Sequence, residues 1–234
     1  MKAVVLLSGG VDSATCLGMA VQRYGKENVT ALSIIYGQKH IKEIECSKKL
    51  AEYYDVKRIE MDITPIFQFS NCSLLQRSDQ EIEHSSYVEQ IQKYGEGTVA
   101  TYVPFRNGLM LSTAASIALS LYPNEKTFLY YGAHADDSAG RAYPDCSESF
   151  INAMNYALFS GSGDLLQLVA PLAFWNKSQV VKEGLEIGVP YHLTWSCYEG
   201  KEKACGKCGT CIDRLEAFRK NNVEDPIEYE NNCN

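Results

Sequence analysis

The fold is decided by one stretch, AVVLLSGGVDSATCLGMA, which covers residues 3–20. An apolar run ends at Ser8-Gly9-Gly10, and apolar residues then recur at helical spacing until Gly25, a favourable helix end. A strand, a glycine turn and a helix start in direct succession gather backbone N–H groups at one point, where they attract anions. Because glycine lacks a Cβ atom, a phosphate can approach this backbone closely. The stretch therefore predicts an anion-binding turn after the first strand.

The turn SGGVDS, residues 8–13, differs from the two commonest nucleotide-binding loops. It lacks the Lys-Ser or Lys-Thr pair of a Walker A loop and the G-x-G-x-x-G pattern. The hydroxyls of Ser8 and Ser13 can donate to phosphate oxygens, whereas Asp12 would repel a phosphate unless a cation such as Mg²⁺ lay between them. The alternative is a plain turn in which Ser or Asp caps the helix. The pattern resembles the PP-loop of the ATP pyrophosphatase superfamily, which implies that the turn grips the pyrophosphate of ATP.

Further β-branched runs alternate with helical patterns along the chain. The predicted strands are residues 2–7, 29–36, 56–61, 127–131 and 166–169. This alternation predicts a Rossmann-like α/β fold with a doubly wound, parallel, five-stranded sheet. Since ligands collect at the carboxyl ends of such strands, the loops that follow them form the candidate site.

Two of the predicted helices have marked starts, and a third has a marked composition. Asp145 with Glu148, and Asn176 with Gln179, have the spacing of capping boxes and predict helix starts at Asp145 and Asn176. Residues 107–122 are apolar almost all round, as expected of a helix that packs on a sheet and is covered by other elements.

Length and composition limit the class of protein. The 234 residues, 45% hydrophobic and 22% charged, suit one domain with a small appendage. A net charge of -7 argues against broad contact with nucleic acid. No segment approaches a membrane span, and the apolar start is too short for a signal peptide. Nine cysteines without a secretory signal are typical of a reducing compartment, so we expect a cytoplasmic protein with no nucleic-acid or membrane partner.

A cysteine cluster near the C-terminus is the second strong signal. The spacing is C-x7-C-x2-C-x2-C, formed by Cys197, Cys205, Cys208 and Cys211. Four thiolates at this spacing suit a tetrahedral zinc ion and leave no open position, so the ion would be structural. Chance clustering, or redox use of one C-x-x-C pair, is the alternative.

Three regions are predicted along the chain. Residues 1–196 form a PP-loop ATP-binding α/β domain, residues 197–220 a zinc-binding module packed on it, and residues 221–234 a frayed acidic tail. Residues 70–100 are polar without clear periodicity, which indicates a surface excursion or a flap.

Four further motifs lie between the turn and the cysteines. They are YGQKH at 36–40, VPFRN at 103–107, GAHADD at 132–137 and YPDCSESF at 143–150. Arg106, at the head of an apolar helix, suits a clamp for a carboxylate or phosphate, or is a solvated side chain. Asp136 and Asp137 follow a strand end. Their carboxylates could bind a metal ion, accept hydrogen bonds from the N–H groups of a guanine-like base, or only stabilise the turn. Asp145 suits substrate contact, helix capping, or both.

The remaining polar candidates each have a structural alternative. Gln38 and His40 suit phosphate binding or proton transfer, although scattered histidines commonly have structural roles. Lys177, beside a helix start, suits neutralisation of phosphate charge or a surface position. Tyr143 is one of the aromatic residues that suit stacking on a purine. Cys146 has no base beside it in the sequence and is interpreted as a packed thiol.

The turn, the four motifs and the cysteine cluster, in this order, resemble the QueC family of queuosine biosynthesis over residues 2–218. One departure is GAHADDSAGRAYPDC, residues 132–146, where the family has a shorter run. The resemblance implies an ATP-dependent carbon–nitrogen ligase. Its reaction would convert 7-carboxy-7-deazaguanine and ammonia into 7-cyano-7-deazaguanine (preQ0) through an adenylated carboxylate and an amide. It also implies Mg²⁺, one structural Zn²⁺ and a homodimer.

The resemblance and the residue types together give the predicted site. Catalytic roles are predicted for Asp12, Arg106 and Asp145. ATP is predicted to bind at Ser8, Gly9, Gly10, Val11, Asp12, Ser13 and Gln38. The deazaguanine is predicted to bind at Arg106, Asp136, Asp137, Tyr143 and Asp145, and zinc at Cys197, Cys205, Cys208 and Cys211.

Three other functions fit parts of the pattern. A QueC-like paralogue would transfer the activated deazapurine to another acceptor, such as a protein amine. A PP-loop enzyme that modifies tRNA would want a basic surface and catalytic thiols, whereas this chain is acidic and its clustered thiols suit a metal. A non-catalytic nucleotide-binding or zinc-ribbon module would not need the middle motifs.

Overall fold

The computed structural model describes residues 1–95, 97–199 and 201–230. Five strands form one parallel sheet in the order β3-β2-β1-β4-β5. They are β1 (Lys2–Leu6), β2 (Val29–Ile35), β3 (Lys57–Asp62), β4 (Thr127–Tyr130) and β5 (Leu166–Val169). The predicted fold class is confirmed, and each strand begins and ends within one residue of its predicted bounds. The strand order reverses between β1 and β4, which is where a doubly wound sheet opens a crevice for ligands.

Seven helices connect and follow these strands in the described part of the chain. They are α1 (Val11–Tyr24), α2 (Lys42–Tyr53), α3 (Tyr87–Tyr94), α4 (Arg106–Leu121), α5 (Glu148–Gly161), α6 (Lys177–Glu186) and α7 (Gly209–Lys220). The predicted capping box of α6 is confirmed, because the Asn176 side chain accepts from Gln179 N and the Gln179 side chain accepts from Asn176 N. None of these helices combines the length and apolarity that a membrane crossing requires.

The sheet has a hydrophobic core on each face, and alternate residues of one strand enter different cores. On β1, Val4 packs with α4 and α5, whereas Ala3 and Val5 pack with α1, α2 and α6. Leu17 of α1 and Leu111 of α4, both fully buried, lie in opposite cores. Truncating such a side chain to Ala typically costs about 2–5 kcal/mol of unfolding free energy. These cores fix the ends of β1 and β4, and hence the site.

The predicted start of α5 is wrong. Ser147 is the N-cap, and its hydroxyl accepts from Phe150 N at 3.2 Å. Pro144 forces a single 3₁₀ turn before the helix, so Asp145 is displaced from the capping position. Instead, Asp145 Oδ2 accepts from the backbone N–H of Asn107 at 3.0 Å, in the first turn of α4. Asp145 therefore stabilises the helix start that carries Arg106.

The predicted surface excursion at residues 70–100 is partly a core segment. Leu74 and Leu75 are each only 1% exposed and pack in the core on the α4 side of the sheet. Gln38 forms an isolated bridge with Leu75, and Lys39 N donates to Leu74 O. This part of the segment thus fixes the loop that follows β2, whereas α3 lies in its later part.

The C-terminal residues up to Glu230 are packed, so the prediction of a frayed tail is wrong for the described part. Arg214 of α7 and Asp225 form a two-armed ion pair at 2.7 and 2.9 Å, with side chains 0% and 2% exposed. Ala204 N donates to Glu228 O, and Glu230 N donates to Ala204 O. The buried arginine needs this partner, which the acidic tail supplies. Residues 231–234 lie outside the described residues.

Candidate active site

One cavity opens at the carboxyl ends of β1, β2 and β4, where the strand order reverses. Its wall has three parts that come from different regions of the chain. The glycine turn and α6 contribute Ser8, Gly10, Asp12, Ser13 and Lys177. The middle motifs contribute Tyr36, Gln38, His40, Arg106, Asn107, His134, Asp137, Tyr143 and Cys146, and the cysteine module contributes Ser196, Tyr198, Thr210 and Asp213.

The glycine turn leaves the N-terminus of α1 without a side-chain cap. Gly10 is the N-cap residue, and no side chain accepts from the first N–H groups of the helix. Ser8 and Ser13 bond each other at 3.1 Å across the turn and accept from Gly10 N and Gly9 N. Gly9 has φ of 100°, and a Cβ atom there would collide with the carbonyl oxygen of Glu43. The turn therefore leaves the first N–H groups of α1 open to an anion, and anion binding there stays a prediction.

Asp12 and Lys177 form an ion pair on the cavity wall. Lys177 Nζ donates to Asp12 Oδ1 at 2.8 Å and to Oδ2 at 2.6 Å, and His134 Nε2 lies 3.9 Å from Oδ2. Burial by itself would raise the pKa of Asp12, but Lys177 and His134 hold it below its usual value. Lys177 thus favours the charged form of Asp12. Sequence reasoning named both residues but did not pair them, because 165 positions separate them.

The two neighbouring aspartates after β4 have different positions. Asp136 Oδ2 accepts from the backbone N–H of Lys177 at 2.8 Å and does not line the cavity. Asp137 lines the cavity, and its Oδ1 lies 3.3 Å from His134 Nε2. Asp137 is therefore placed to meet a ligand, whereas Asp136 stabilises the start of α6. Ligand contact by either residue stays a prediction.

Arg106 lies against an aromatic ring at the opposite side of the cavity. Its Nη1 donates to the Tyr36 hydroxyl at 3.1 Å, and its guanidinium carbon is 4.9 Å from that ring's centre. Tyr143 lines the same part of the wall and bonds Thr101 through its hydroxyl at 2.5 Å. Asp145 lies behind them, 3% exposed, with Oδ1 unpartnered, and burial raises its pKa. This arrangement offers a cation and two aromatic rings to a planar, anionic ligand.

The interpretation of Cys146 as a packed thiol agrees with its surroundings. Its Sγ lies 3.2 Å from the Tyr131 hydroxyl and accepts from Asn107 Nδ2 at 3.4 Å. Burial raises the pKa of this thiol well above its usual value, which disfavours the nucleophilic thiolate.

Gln38 and His40 are both buried and have protein partners. Gln38 Oε1 accepts from Tyr36 N at 2.9 Å, so its carbonyl group shapes the loop after β2. His40 Nε2 lies 3.0 Å from Glu43 Oε2. Sequence reasoning missed Glu43 and Asp213, both of which line the cavity. The spacing of three between His40 and Glu43 was the available signal for the first; the sequence carries none for the second.

The four clustered cysteines fit a metal ion. All four are buried, and one sulfur atom from each lies within 4.8 Å of the others. Hydrogen bonds from neighbouring thiols lower the pKa of Cys208, whereas they raise that of Cys211. A bound cation would favour ionisation of all four thiols.

The segment that leads into the cysteine module contacts the glycine turn. Trp195 N donates to Gly9 O at 2.9 Å, two residues before Cys197. The Lys42 ammonium lies 3.8 Å from the centre of the Trp195 ring, which connects α2 to the same point. The position of the turn therefore depends on the module.

The fold resembles that of solved nucleotide-related enzymes. NMN synthetase from Francisella tularensis matches with a TM-score of 0.51 at 15% identity, over 95% of this chain and 78% of that one. The NH3-dependent NAD synthetase from Campylobacter jejuni matches with a TM-score of 0.50 at 17% identity, over 94% and 75%. At such identities the likeness shows the fold alone. The fold and the strand order together define a Rossmann-like α/β protein with a doubly wound parallel sheet.

Sequence comparison identifies the family. The profile of queuosine biosynthesis protein QueC matches residues 2–222. The 7-cyano-7-deazaguanine synthase of Caldicellulosiruptor saccharolyticus is 44% identical over 98% of this chain and 96% of its own length. The 7-cyano-7-deazaguanine synthase of Archaeoglobus fulgidus is 40% identical over 97% of this chain and 90% of its own length. The chain belongs to the QueC family, and the resemblance inferred from the motifs is confirmed.

Proposed function

We propose that this protein is an ATP-dependent carbon–nitrogen ligase that converts 7-carboxy-7-deazaguanine and ammonia into 7-cyano-7-deazaguanine. The relatives described above are named for the synthesis of this product. One observation carries the proposal: a single cavity joins the uncapped N-terminus of α1 to Arg106 and two tyrosines. A triphosphate and a planar carboxylate can therefore meet within it.

The first step is activation of the carboxylate, which is a poor acyl donor. A carboxylate oxygen attacks the α phosphorus of ATP, an O–P bond forms, and the bond to pyrophosphate breaks. The N–H groups of the glycine turn and the Ser8 and Ser13 hydroxyls bind the pyrophosphate part. Lys177 offsets negative charge beside them. Arg106 orients the carboxylate, and Tyr36 and Tyr143 contact the deazapurine.

Ammonia then displaces AMP, and the product is the amide. To reach the nitrile, the amide oxygen attacks a second ATP in the same manner and leaves on AMP, while the nitrogen loses its two protons. Both carboxylate oxygens thus depart on AMP, and no water is consumed or released. The protein positions reactants and stabilises charge, without a covalent intermediate on its own side chains. The high pKa of Cys146 supports this last point.

Magnesium is assigned to Asp12 and Asp137, whose carboxylates lie on the cavity wall near the turn. Mg²⁺ usually binds one or two carboxylates together with nucleotide phosphates, and this donor set fits. Bound there together with ATP, the ion would neutralise phosphate charge. Within the described residues, the cysteines form the one preformed group of three or more metal-binding side chains, so these carboxylates complete a site only with ATP.

The proposal is tested by two measurements on the purified protein. Exchange of labelled pyrophosphate into ATP, with 7-carboxy-7-deazaguanine present and ammonium absent, is expected to occur and to require the carboxylate. Mass spectrometry after ammonium addition is expected to show the nitrile and its amide precursor. Absence of both exchange and nitrile contradicts the proposal. Formation of an adduct only with a protein amine would favour a paralogue with another acceptor.

We further assign the cysteine cluster a structural Zn²⁺ ion, the protein a cytoplasmic location and the assembly a homodimer. The all-thiol donor set supports zinc. The thiols of Cys16, Cys46, Cys72 and Cys146, which form no disulfide, are consistent with a reducing compartment. Tyr156 and Phe159, exposed on α5, offer apolar surface for a second copy. Metal analysis tests the zinc content, and sedimentation equilibrium tests whether the protein is a dimer.

A further inference from the structure

A polar pair beside the glycine turn has no role in the chemistry described above. His40 Nε2 lies 3.0 Å from Glu43 Oε2, and both residues line the cavity. The side chain of His40 is 1% exposed and that of Glu43 is 14% exposed. His40 Nδ1 is buried and has no hydrogen-bond partner among the residues that the structure describes. A buried polar atom without a protein partner requires another partner, either a ligand or a water molecule.

The pair lies where ATP phosphates are expected. The first turn of α2 packs on the glycine turn so closely that the Glu43 carbonyl group excludes a Cβ atom at Gly9. A Cβ atom built at Gly10 would lie 3.9 Å from Glu43 Oε1. The carboxylate therefore lies beside the anion-binding end of α1. A phosphate bound at that end of α1 and the Glu43 carboxylate would repel each other unless a cation lay between them. Ammonium is the one cationic substrate of the proposed reaction.

We propose that Glu43 binds the ammonium ion and that His40 positions its carboxylate. This inference rests on the proposed function, because only an enzyme that consumes ammonia requires such a site. In the neutral tautomer that donates Nε2–H to Glu43 Oε2, His40 offers Nδ1 as a second acceptor. Ammonium carries four N–H donors, which suit a carboxylate and an imidazole nitrogen.

The site would also prepare ammonia for attack. An N–H bond of ammonium breaks, and its proton passes to the Glu43 carboxylate. The freed electron pair forms the C–N bond to the acyl carbon, while the C–O bond to AMP breaks. The nitrogen then loses a second proton to solvent to give the neutral amide, and Glu43 returns its proton to solvent. Atoms and charge balance without a further reactant.

The test compares two glutamates on one helix. Glu43→Gln removes the charge at nearly constant size, and Glu45→Gln, at an exposed position on α2, is the matched control. Initial rates are measured against ammonium concentration, and pyrophosphate exchange is measured without ammonium. Glu43→Gln is expected to raise KM for ammonium by about tenfold or more, because a charged hydrogen-bond partner is lost. Exchange is expected to stay within about twofold of the unchanged protein, as are all rates of the control.

Hydroxylamine sharpens the test, because it is a neutral nucleophile at pH 7 and needs no deprotonation by Glu43. Hydroxamate formation by Glu43→Gln is expected to approach that of the unchanged protein. Glu43→Asp retains the charge and serves as a second variant if Glu43→Gln does not fold; it is expected to raise KM less than tenfold.

Two results overturn the inference. One is an unchanged KM for ammonium in both Glu43 variants. The other is an equal loss of exchange and of the ammonium step, which would place Glu43 in the binding of ATP or Mg²⁺. Absence of exchange in the unchanged protein has a different meaning, because it contradicts the proposed function itself.

Discussion

The sheet around the glycine turn and the C-terminal cysteine module line the same cavity, yet they are stabilised differently. The sheet has an extensive hydrophobic core on each face. The module has a small buried cluster, made of its four cysteines with Cys46 of α2 and a few apolar neighbours, together with a fully buried Arg214. Burial of apolar side chains stabilises the sheet, whereas the pairing of buried charges stabilises the module. We therefore expect the folding of the module to depend on the proposed Zn²⁺ ion, and the hydrogen bond from Trp195 N to Gly9 O to make the glycine turn sensitive to that ion.

The largest effect that separates the two regions is expected from Cys208→Ser. Loss of one of four thiolates is expected to abolish stoichiometric zinc and to lower Tm by about 10 °C or more. Metal analysis and calorimetry measure both. Cys72→Ser is the control, because this buried thiol lies outside the cluster and Ser can keep its hydrogen bond to Ala100 O. Full zinc content with unchanged Tm in Cys208→Ser would show that the comparison is wrong.

The second effect concerns the ion pair that closes the module. Asp225→Asn leaves Arg214 buried without a charged partner and is expected to cost about 3–5 kcal/mol of unfolding free energy. Urea denaturation provides the measurement. Glu228→Gln, in an exposed pair with Lys203, is expected to cost less than about 1 kcal/mol. Equal losses for the two variants would mean that burial does not distinguish these pairs.

The third effect lies on the sheet side of the cavity. Lys177→Met removes the cation that pairs with Asp12 beside the proposed phosphate site and is expected to lower kcat/KM for ATP by about 100-fold. The double variant Asp12→Asn with Lys177→Met is expected to regain stability, because no unpaired charge remains, but not activity. Steady-state kinetics and urea denaturation of the single and double variants separate these roles. Recovery of activity in the double variant would show that Asp12 and Lys177 have only a structural role.

The smallest effect is the pH dependence of that pair. With the Asp12 pKa held below 3.8, the pair stabilises the protein above that pH, and the contribution is lost as pH falls through the lowered pKa. In Lys177→Met, burial raises the Asp12 pKa, so stability falls as pH rises through the raised value. The difference in unfolding free energy between the two proteins is thus expected to grow above pH 3.8, by on the order of 1 kcal/mol. Urea titrations from pH 4 to 7 measure it; a constant difference contradicts the assignment.

Local patterns explain which features the sequence predicts. Strands, the capping box at Asn176 and the cysteine spacing each depend on residues close together in the chain, and the structure has all three. The role of Asp145 was missed because its partner Asn107 lies 38 positions away. The packed tail was missed for the same reason, since Asp225 looks like any exposed acid until Arg214 is seen to be buried.

The site shows the same division. The sequence of the glycine turn is enough to predict an anion site. The need for glycine at position 9 depends on α2, because the Glu43 carbonyl oxygen leaves no room there for a Cβ atom. Asp213 enters the cavity because α7 packs on α6, a contact that no motif encodes. A site residue that belongs to a local motif can therefore be predicted from the sequence. A side chain that reaches the cavity only through tertiary packing cannot.

In the proposed reaction, both carboxylate oxygens leave on AMP. The direct measurement uses 7-carboxy-7-deazaguanine with both carboxylate oxygens labelled with oxygen-18, followed by mass spectrometry of the nucleotide products. We expect both labelled oxygens to appear in AMP, one in each molecule formed, and the nitrile to appear at the same time. Label found in pyrophosphate, in orthophosphate or in water would contradict it.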